Sequence, residues 1–232
     1  MGMDMITTTE DQLPRLRLLQ LISPSLPIGA FTYSQGLEWA VESGWIKSES
    51  ELLEWTLDLL QTSLTHLEVP CLARLYHACA ESDDEALRYW SYYLIASRET
   101  RELREEEHNR GRALARLLPE IGIPVSTQIM PLLKHCQLAG FAYAAYHWRI
   151  PLRSAAEGYL WGWLENIVLA GVKIVPLGQS SGQRIIAALT PPIPAMVKRG
   201  LELSDECIGT SCPAQALASS QHETQYTRIY RS

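Results

Sequence analysis

Three short Ser-x-x-Glu motifs each stand directly before a stretch of apolar residues at helical spacing. In such a capping box the serine oxygen accepts a hydrogen bond from a backbone N–H of the first turn, and the glutamate reaches back to the N-cap. The motif therefore marks the start of a helix. The three pairs are Ser48 with Glu51, Ser82 with Glu85, and Ser154 with Glu157. Three helix starts of this kind are hard to obtain from a sheet protein.

The apolar pattern extends the same prediction along the chain. The segment after Ser48 carries leucines at helical spacing, Pro70 restarts the pattern, and residues 132–147 are typical of one further helix. Only Val172–Val175 alternates as a strand does, and Pro176 stops it at once. The pattern predicts an all-α, bundle-like single domain of roughly ten helices over residues 1–218. A polar segment, residues 219–232, follows and is called the tail below.

Composition limits the class of protein. The 232 residues carry 20 Lys and Arg against 26 Asp and Glu, a formal charge of −6, which argues against nucleic-acid binding. Five cysteines without a C-x-x-C pair indicate free thiols and a reducing compartment. Residues 1–11 lack the apolar core of a signal peptide, and no uncharged run is a spanning helix. We expect a soluble, cytoplasmic protein that does not contact membranes.

The sequence contains no complete catalytic or cofactor-binding motif. The segment Gly178–Arg184 has the wrong glycine spacing for a phosphate-binding loop and lacks its Lys-Ser/Thr end. The histidines show no metal-ligand spacing, and no nucleophile elbow is present. The sequence therefore predicts no enzyme activity, no cofactor and no metal site in this chain. One alternative stays open, a weak nickel or zinc contact at a symmetric interface through His222 or Cys207.

The charged segment from Ser97 to Glu107 alternates arginine with glutamate. Pairs four residues apart on a helix attract one another, so we expect a solvated face stabilised by ion pairs, with a charged docking face as the alternative. The expected pairs are Arg98 with Glu102, Arg101 with Glu105, and Glu106 with Arg110.

Two segments carry more specialised residues than ordinary connections need. The first, Ser23–Glu38, combines prolines, hydroxyls, Gly29 and two aromatic side chains, and is called the Pro-Gly loop below. The second is the tail, which is too polar to fold alone but ends with tyrosines and arginines of the kind that anchor interfaces. We expect Trp55, Trp90 and Trp163 at the edge of the core, and the loop and tail tyrosines at partner surfaces.

Four blocks in order resemble the UreF family of urease accessory proteins. They are Ser23–Glu38, Ser97–Leu114, Leu164–Arg184 and His222–Ser232. The resemblance implies an all-helical homodimer without an active site of its own. It also implies that the protein bridges UreD (also called UreH) and the GTPase UreG, and that the complex delivers nickel to the apo-urease subunits in a GTP-dependent step. Nickel would be handled by the assembled complex rather than by this chain.

Carried onto this sequence, the resemblance implies that the Pro-Gly loop and the tail order against UreD. A contact between Tyr33 and Arg231 is a hypothesis within that prediction, and Lys173 is expected at the UreG-facing or dimer surface. The predicted partner-binding residues are Gly29, Phe31, Tyr33, Lys173, Gln179, Arg184, His222, Glu223, Tyr226, Arg228, Tyr230 and Arg231. Three alternatives are a GTPase activator using Arg184 or Arg228, a nickel carrier, and an unrelated helical adaptor.

Overall fold

The described part of the chain is built from helices joined by short turns. The computed structural model describes residues 9–232, and no strand occurs within them. Its α-helices are α1 (Thr9–Ile22), α2 (Leu37–Glu42), α3 (Glu49–Leu59), α4 (Val69–Glu81), α5 (Asp84–Ala96), α6 (Arg101–Glu120), α7 (Met130–His135), α8 (Gln137–His147), α9 (Leu152–Ile174), α10 (Gln179–Leu189), α11 (Ile193–Leu201) and α12 (Pro213–His222). Short 3₁₀ turns occupy Ala30–Thr32 and Asp205–Cys207. The all-α prediction is confirmed.

The first capping box is confirmed in detail. Ser48 Oγ accepts the N–H of Glu51 at 3.3 Å, and the Glu51 carboxylate accepts the N–H of Lys47 at 2.7 Å. A π-helical segment, Leu60–Glu68, then joins α3 to α4 without a turn. Pro70 lies in the first turn of α4, as the predicted restart requires.

The other two boxes do not start helices. Asp83 caps α5 instead of Ser82, since its carboxylate accepts the N–H of Ala86 at 2.9 Å. Ser82 ends α4 in the left-handed conformation, with φ +56°. The helix that follows the third motif is α9, which already begins at Leu152 after Pro151, so Ser154 lies inside its first turn. At α5 the neighbouring Asp83 provides the cap, whereas Pro151 before α9 makes no side-chain cap hydrogen bond.

Two further expectations need correction. Residues 132–147 form two helices, because Cys136 is extended (φ −136°, ψ 120°) and separates α7 from α8. The segment 172–175 is not a strand, since α9 continues to Ile174 and only Val175 is extended.

The long helix α9 lies at the centre of the bundle. It packs against α1, α2, α3, α4, α8, α10 and α11. Leu160, Leu164 and Val168 on its length are fully buried. Gly158 and Gly162 on α9 allow α1 to approach closely. A Cβ on Gly158 would lie 2.7 Å from the side chain of Leu18, and one on Gly162 would lie 3.3 Å from Ile22.

The three tryptophans expected at the edge of the core are buried or partly buried. Trp90 and Trp163 are buried, and Trp55 is partly buried against the core. Among the described residues, no helix combines the length and apolar character needed to cross a bilayer. The predicted absence of a signal peptide concerns residues that lie mostly outside the described range.

Candidate functional site

The tail returns to the Pro-Gly loop and pairs with it. The N–H of Arg231 donates to the carbonyl of Thr32 at 2.8 Å. The N–H and the hydroxyl of Ser34 both donate to the carbonyl oxygen of Ser232, at 2.7 and 2.5 Å. Two segments that are almost two hundred residues apart in sequence therefore form one surface.

Close contact between α12 and the loop depends on Gly36. This residue has φ +86°, and a Cβ there would lie 2.8 Å from the backbone nitrogen of Ser219. A larger residue would meet backbone atoms, which cannot swing aside as a side chain can. Because α12 runs to His222, it crosses the predicted division between residues 218 and 219. That division into domain and tail, and ordering of the tail on partner binding, stay predictions.

A buried charged cluster holds the tail in place. His222 is fully buried between two carboxylates: its Nδ1 lies 2.7 Å from Glu102 Oε2 and its Nε2 lies 3.1 Å from Glu38 Oε2. Glu102 Oε1 accepts a hydrogen bond from Arg228 at 2.8 Å. The Glu38 carboxylate also accepts the backbone N–H groups of Ile229 and Tyr230, at 2.7 and 2.9 Å.

The electrostatics of this cluster favour a charged imidazole. Burial of the ring alone disfavours its charged form, but the hydrogen bonds that the ring donates to Glu102 and Glu38 outweigh burial and raise the pKa of His222. The sequence reading of His222 as a partner-binding residue needs correction in one respect. The side chain points into the fold and is fully buried, so it positions the tail instead of offering contact area.

The predicted site residues of the loop and tail divide into anchors and exposed groups. Tyr33 and Tyr230 are buried between the loop and the tail in this chain, and their role in partner binding stays a prediction. Phe31 is 59% exposed and Tyr226 is fully exposed, and their role in partner binding likewise stays a prediction. Ile229, an apolar residue of the tail, is 73% exposed. The exposed apolar side chains of the loop–tail surface are therefore Phe31 on the loop and Tyr226 and Ile229 on the tail, and other residues anchor both segments.

The remaining tail and loop residues have identifiable roles. Glu223 Oε1 accepts the N–H of Arg101 at 3.0 Å, at the first residue of α6. Gly29 adopts φ +73° before the 3₁₀ turn. Tyr33 and Arg231 line one cleft of about 400 Å³ together with Arg228. The cleft brings this predicted pair to the same place, and the contact between their side chains stays a hypothesis.

Three of the predicted residues lie elsewhere, where α9 and α10 meet α3. Lys173 in the last turn of α9, Gln179 at the start of α10 and Arg184 are all exposed. Arg184 donates two hydrogen bonds to the carboxylate of Glu49, at 2.8 and 2.5 Å. Hydrogen bonding to the Arg184 guanidinium lowers the pKa of Glu49 to about 2. The structure does not bring these three residues into the loop–tail surface.

The charged segment at the start of α6 is mostly buried, which overturns the expected solvated face. The Arg101–Glu105 pair is exposed as predicted, with 3.3 Å between its atoms. The Glu106–Arg110 pair forms at 2.6 Å, but the Glu106 carboxyl is buried, and burial raises its pKa. The expected Arg98–Glu102 pair is replaced, because Glu102 binds the tail instead.

Arg98 lies in the interior between two carboxylates. Its guanidinium contacts Glu68 at 2.8 Å and Glu107 at 2.9 Å, and all three side chains are buried. Tyr159 donates its hydroxyl hydrogen to Glu68 at 2.5 Å. Although burial opposes the charge, the two carboxylates raise the pKa of Arg98, so the guanidinium stays charged.

Sequence reasoning missed Glu38, Glu68, Arg98 and Glu102 as organising residues. One signal for this arrangement was present in the sequence. Between Arg101 and Arg112 the helix has only one large apolar side chain, Leu103. A packed helix with so narrow an apolar stripe has to bury polar groups, and buried charges require partners.

The histidine, cysteine and carboxylate side chains of the described residues do not converge on a metal site. Among residues 9–232, no group of three or more His, Cys, Asp or Glu side chains is placed to hold a metal ion. The five cysteines are free thiols, and burial raises the pKa of Cys71 to about 12.

Comparisons with known proteins agree on one family. The UreF family model matches residues 46–190. A protein named urease accessory protein UreF from Alcanivorax borkumensis is 52% identical over 225 residues, covering 93% of this chain and 97% of the relative. A Pseudomonas putida protein of that name is 50% identical, covering 94% and 97%. Another from Alkalilimnicola ehrlichii is 46% identical, covering 98% and 100%. The chain therefore belongs to the UreF family of urease accessory proteins.

Proposed function

We propose that this protein is a non-enzymatic scaffold that links UreD (UreH) to the GTPase UreG during GTP-dependent nickel insertion into apo-urease. Nickel is the cargo of the assembled complex, and this chain needs no cofactor. We further propose that the protein acts in the cytoplasm as a homodimer. Membership of a urease accessory family supports this assignment.

The loop–tail surface is the feature that carries the proposal. Phe31, Tyr226 and Ile229 expose large apolar groups on segments whose backbone is tied to the domain. Aromatic side chains held on an ordered segment lose little freedom on binding, which makes them effective interface anchors. We propose that UreD binds this surface.

A pair of substitutions at exposed positions tests the assignment. Tyr226→Ala with Ile229→Ala removes two exposed side chains and leaves the buried anchors of the tail intact. Deleting residues from Ser219 onward is a less specific test, because Ser219 and His222 are buried parts of the fold. We expect the double variant to keep its far-UV circular dichroism and to lose at least tenfold in affinity for purified UreD, since anchor residues contribute about 2 kcal/mol or more.

The matched control is Tyr89→Ala with Tyr92→Ala on α5. These tyrosines are 60% and 51% exposed and lie outside the loop–tail surface. We expect this control to bind UreD as the unaltered chain does. Equal affinities of the two double variants would contradict the assignment of the loop–tail surface.

The alternative function is regulation of UreG hydrolysis through an arginine. Arg184 and Arg228 each hold a carboxylate, Glu49 and Glu102 respectively, so either would have to exchange partners to reach a nucleotide. This exchange makes recruitment the better supported proposal. Measuring UreG turnover with the unaltered chain, with Arg184→Ala and with Arg228→Ala decides between them. Stimulation that is lost in either variant would favour the alternative, and its absence in the unaltered chain would exclude it.

A further inference from the structure

The cluster around His222 contains two carboxylates that face the same imidazole ring from different helices. Glu38 belongs to α2 and Glu102 to α6, and each accepts a hydrogen bond from a different ring nitrogen. A neutral imidazole has only one N–H, so it can donate to only one of the two carboxylates. With both carboxylates ionised, the two bonds form together only when the ring is doubly protonated.

The charges of the cluster balance only in that state. The charged groups hydrogen-bonded to His222 or to its carboxylate partners are Glu38, Glu102 and Arg228. Tyr230 lies near Glu38, whose charge adds to burial in raising the pKa of that tyrosine. Glu105 and Arg231, of opposite charge, line the adjoining cleft. Two carboxylates, one guanidinium and one imidazolium sum to zero. Loss of the imidazole proton leaves a net negative charge among buried groups and a lone pair facing a carboxylate oxygen, both of which are unfavourable.

The same cluster also fixes the backbone of the tail. Glu38, held by His222, accepts the N–H groups of Ile229 and Tyr230, and Glu102 holds the side chain of Arg228. Thus the three residues that precede the Arg231–Thr32 contact depend on carboxylates oriented by one histidine.

We propose that His222 is a proton-dependent latch: its doubly protonated ring locks the tail onto α2 and α6, and loss of one proton releases residues 228–232 from the Pro-Gly loop. The latch is a property of the isolated chain. Only its consequence for binding, loss of the exposed tail surface, rests on the proposed function.

The pH dependence follows from linkage. The pKa of His222 is raised above its ordinary value of 6.5 in the docked state, so docking is complete below that value and weakens as the pH rises through the docked-state pKa. Between those two pKa values the ratio of docked to open tail falls about tenfold for each pH unit. Above the docked-state pKa the ratio levels off.

The test uses the full chain labelled with ¹⁵N, studied by NMR from about pH 6 to about pH 9, where histidine titrates and ordinary carboxylates stay ionised. At the acidic end we expect both ring nitrogens of His222 to show protonated shifts. We expect the exchange protection of the Ile229 and Tyr230 amides, corrected for intrinsic rates, to fall with pH in step with the His222 titration.

Two variants separate the latch from a structural role. His222→Gln should lower this protection and abolish its pH dependence, because one amide nitrogen cannot reach both carboxylates. Glu102→Gln should preserve docking and also abolish the pH dependence. Its amide can donate to a neutral Nδ1 while its oxygen still accepts from Arg228. His77→Gln, at an exposed position on α4, serves as control and should keep the wild-type profile.

Some results would overturn the proposal. One is a His222 ring with a single protonated nitrogen at the acidic end of the range. Another is a pH profile of tail protection that is the same in the wild type and in Glu102→Gln. Because neither readout requires UreD, failure of the latch is distinct from failure of the proposed partner assignment.

Discussion

Arg98 offers the sharpest test of how the interior is stabilised. Its guanidinium lies between the buried carboxylates of Glu68 and Glu107, at 2.8 and 2.9 Å. The substitution Arg98→Ala leaves both carboxylates buried without their cation. Breaking a buried ion pair from one side costs about 3–5 kcal/mol, and this site contains two such pairs. We therefore expect a loss of about 4 kcal/mol or more, a large share of a typical domain's stability.

Urea unfolding followed by far-UV circular dichroism measures this loss. With a slope of about 2–3 kcal/mol per molar urea, the unfolding midpoint should fall by about 1–2 M. Arg101→Ala is the matched control, because its pair with Glu105 is exposed and should contribute less than about 1 kcal/mol. The triple variant Arg98→Met, Glu68→Gln and Glu107→Gln should recover part of the loss, since it removes the uncompensated charges along with the cation.

Equal midpoints for Arg98→Ala and Arg101→Ala would refute this reasoning. Such a result would mean that water reaches Glu68 and Glu107, so that their burial imposes no electrostatic cost. A triple variant no more stable than Arg98→Ala would mean that lost packing, rather than buried charge, determines the effect.

Two further predictions concern local geometry. Gly36→Ala should destabilise the fold by about 2–4 kcal/mol in thermal unfolding, because the added Cβ meets the backbone of Ser219. Gly122 also has a positive φ but has open space around it, so Gly122→Ala should cost only about 1–2 kcal/mol. Asp83→Ala should cost about 1 kcal/mol of stability by removing the cap of α5, and Ser82→Ala should leave that cap in place. A thermal unfolding midpoint that falls more in Ser82→Ala than in Asp83→Ala would contradict the assigned cap.

The helical class was predictable because its signals are local. Ser48 and Glu51 lie within one turn, and the leucines that follow repeat at a fixed spacing, so neither requires knowledge of the distant chain. The precise helix starts were less predictable. At Ser82 a better cap stands one residue later, and a capping motif alone does not rank two neighbours.

The site was predicted in its segments but not in its interactions. The residue types of the Pro-Gly loop and the tail marked both as unusual, and the structure places them together. The partners of Glu102 could not be read from spacing, because His222 and Arg228 are more than a hundred residues away. The spacing of four residues favoured Arg98 as the partner of Glu102. In the fold Arg98 instead pairs with Glu68 and Glu107.

Helix α6 connects the interior to the loop–tail surface. Its N-cap Thr100 hydrogen-bonds Ser219 of α12 at 2.8 Å, and its first turn supplies Glu102 to the tail. One turn further, Glu107 holds Arg98 in the core. Because one rigid helix carries both sets of contacts, a change at Arg98 is expected to alter the fold and the position of the tail together. A change at Tyr226 alters the exposed surface alone, since that side chain is fully exposed. Stability measured beside partner affinity therefore distinguishes residues that build the surface from residues that bind through it.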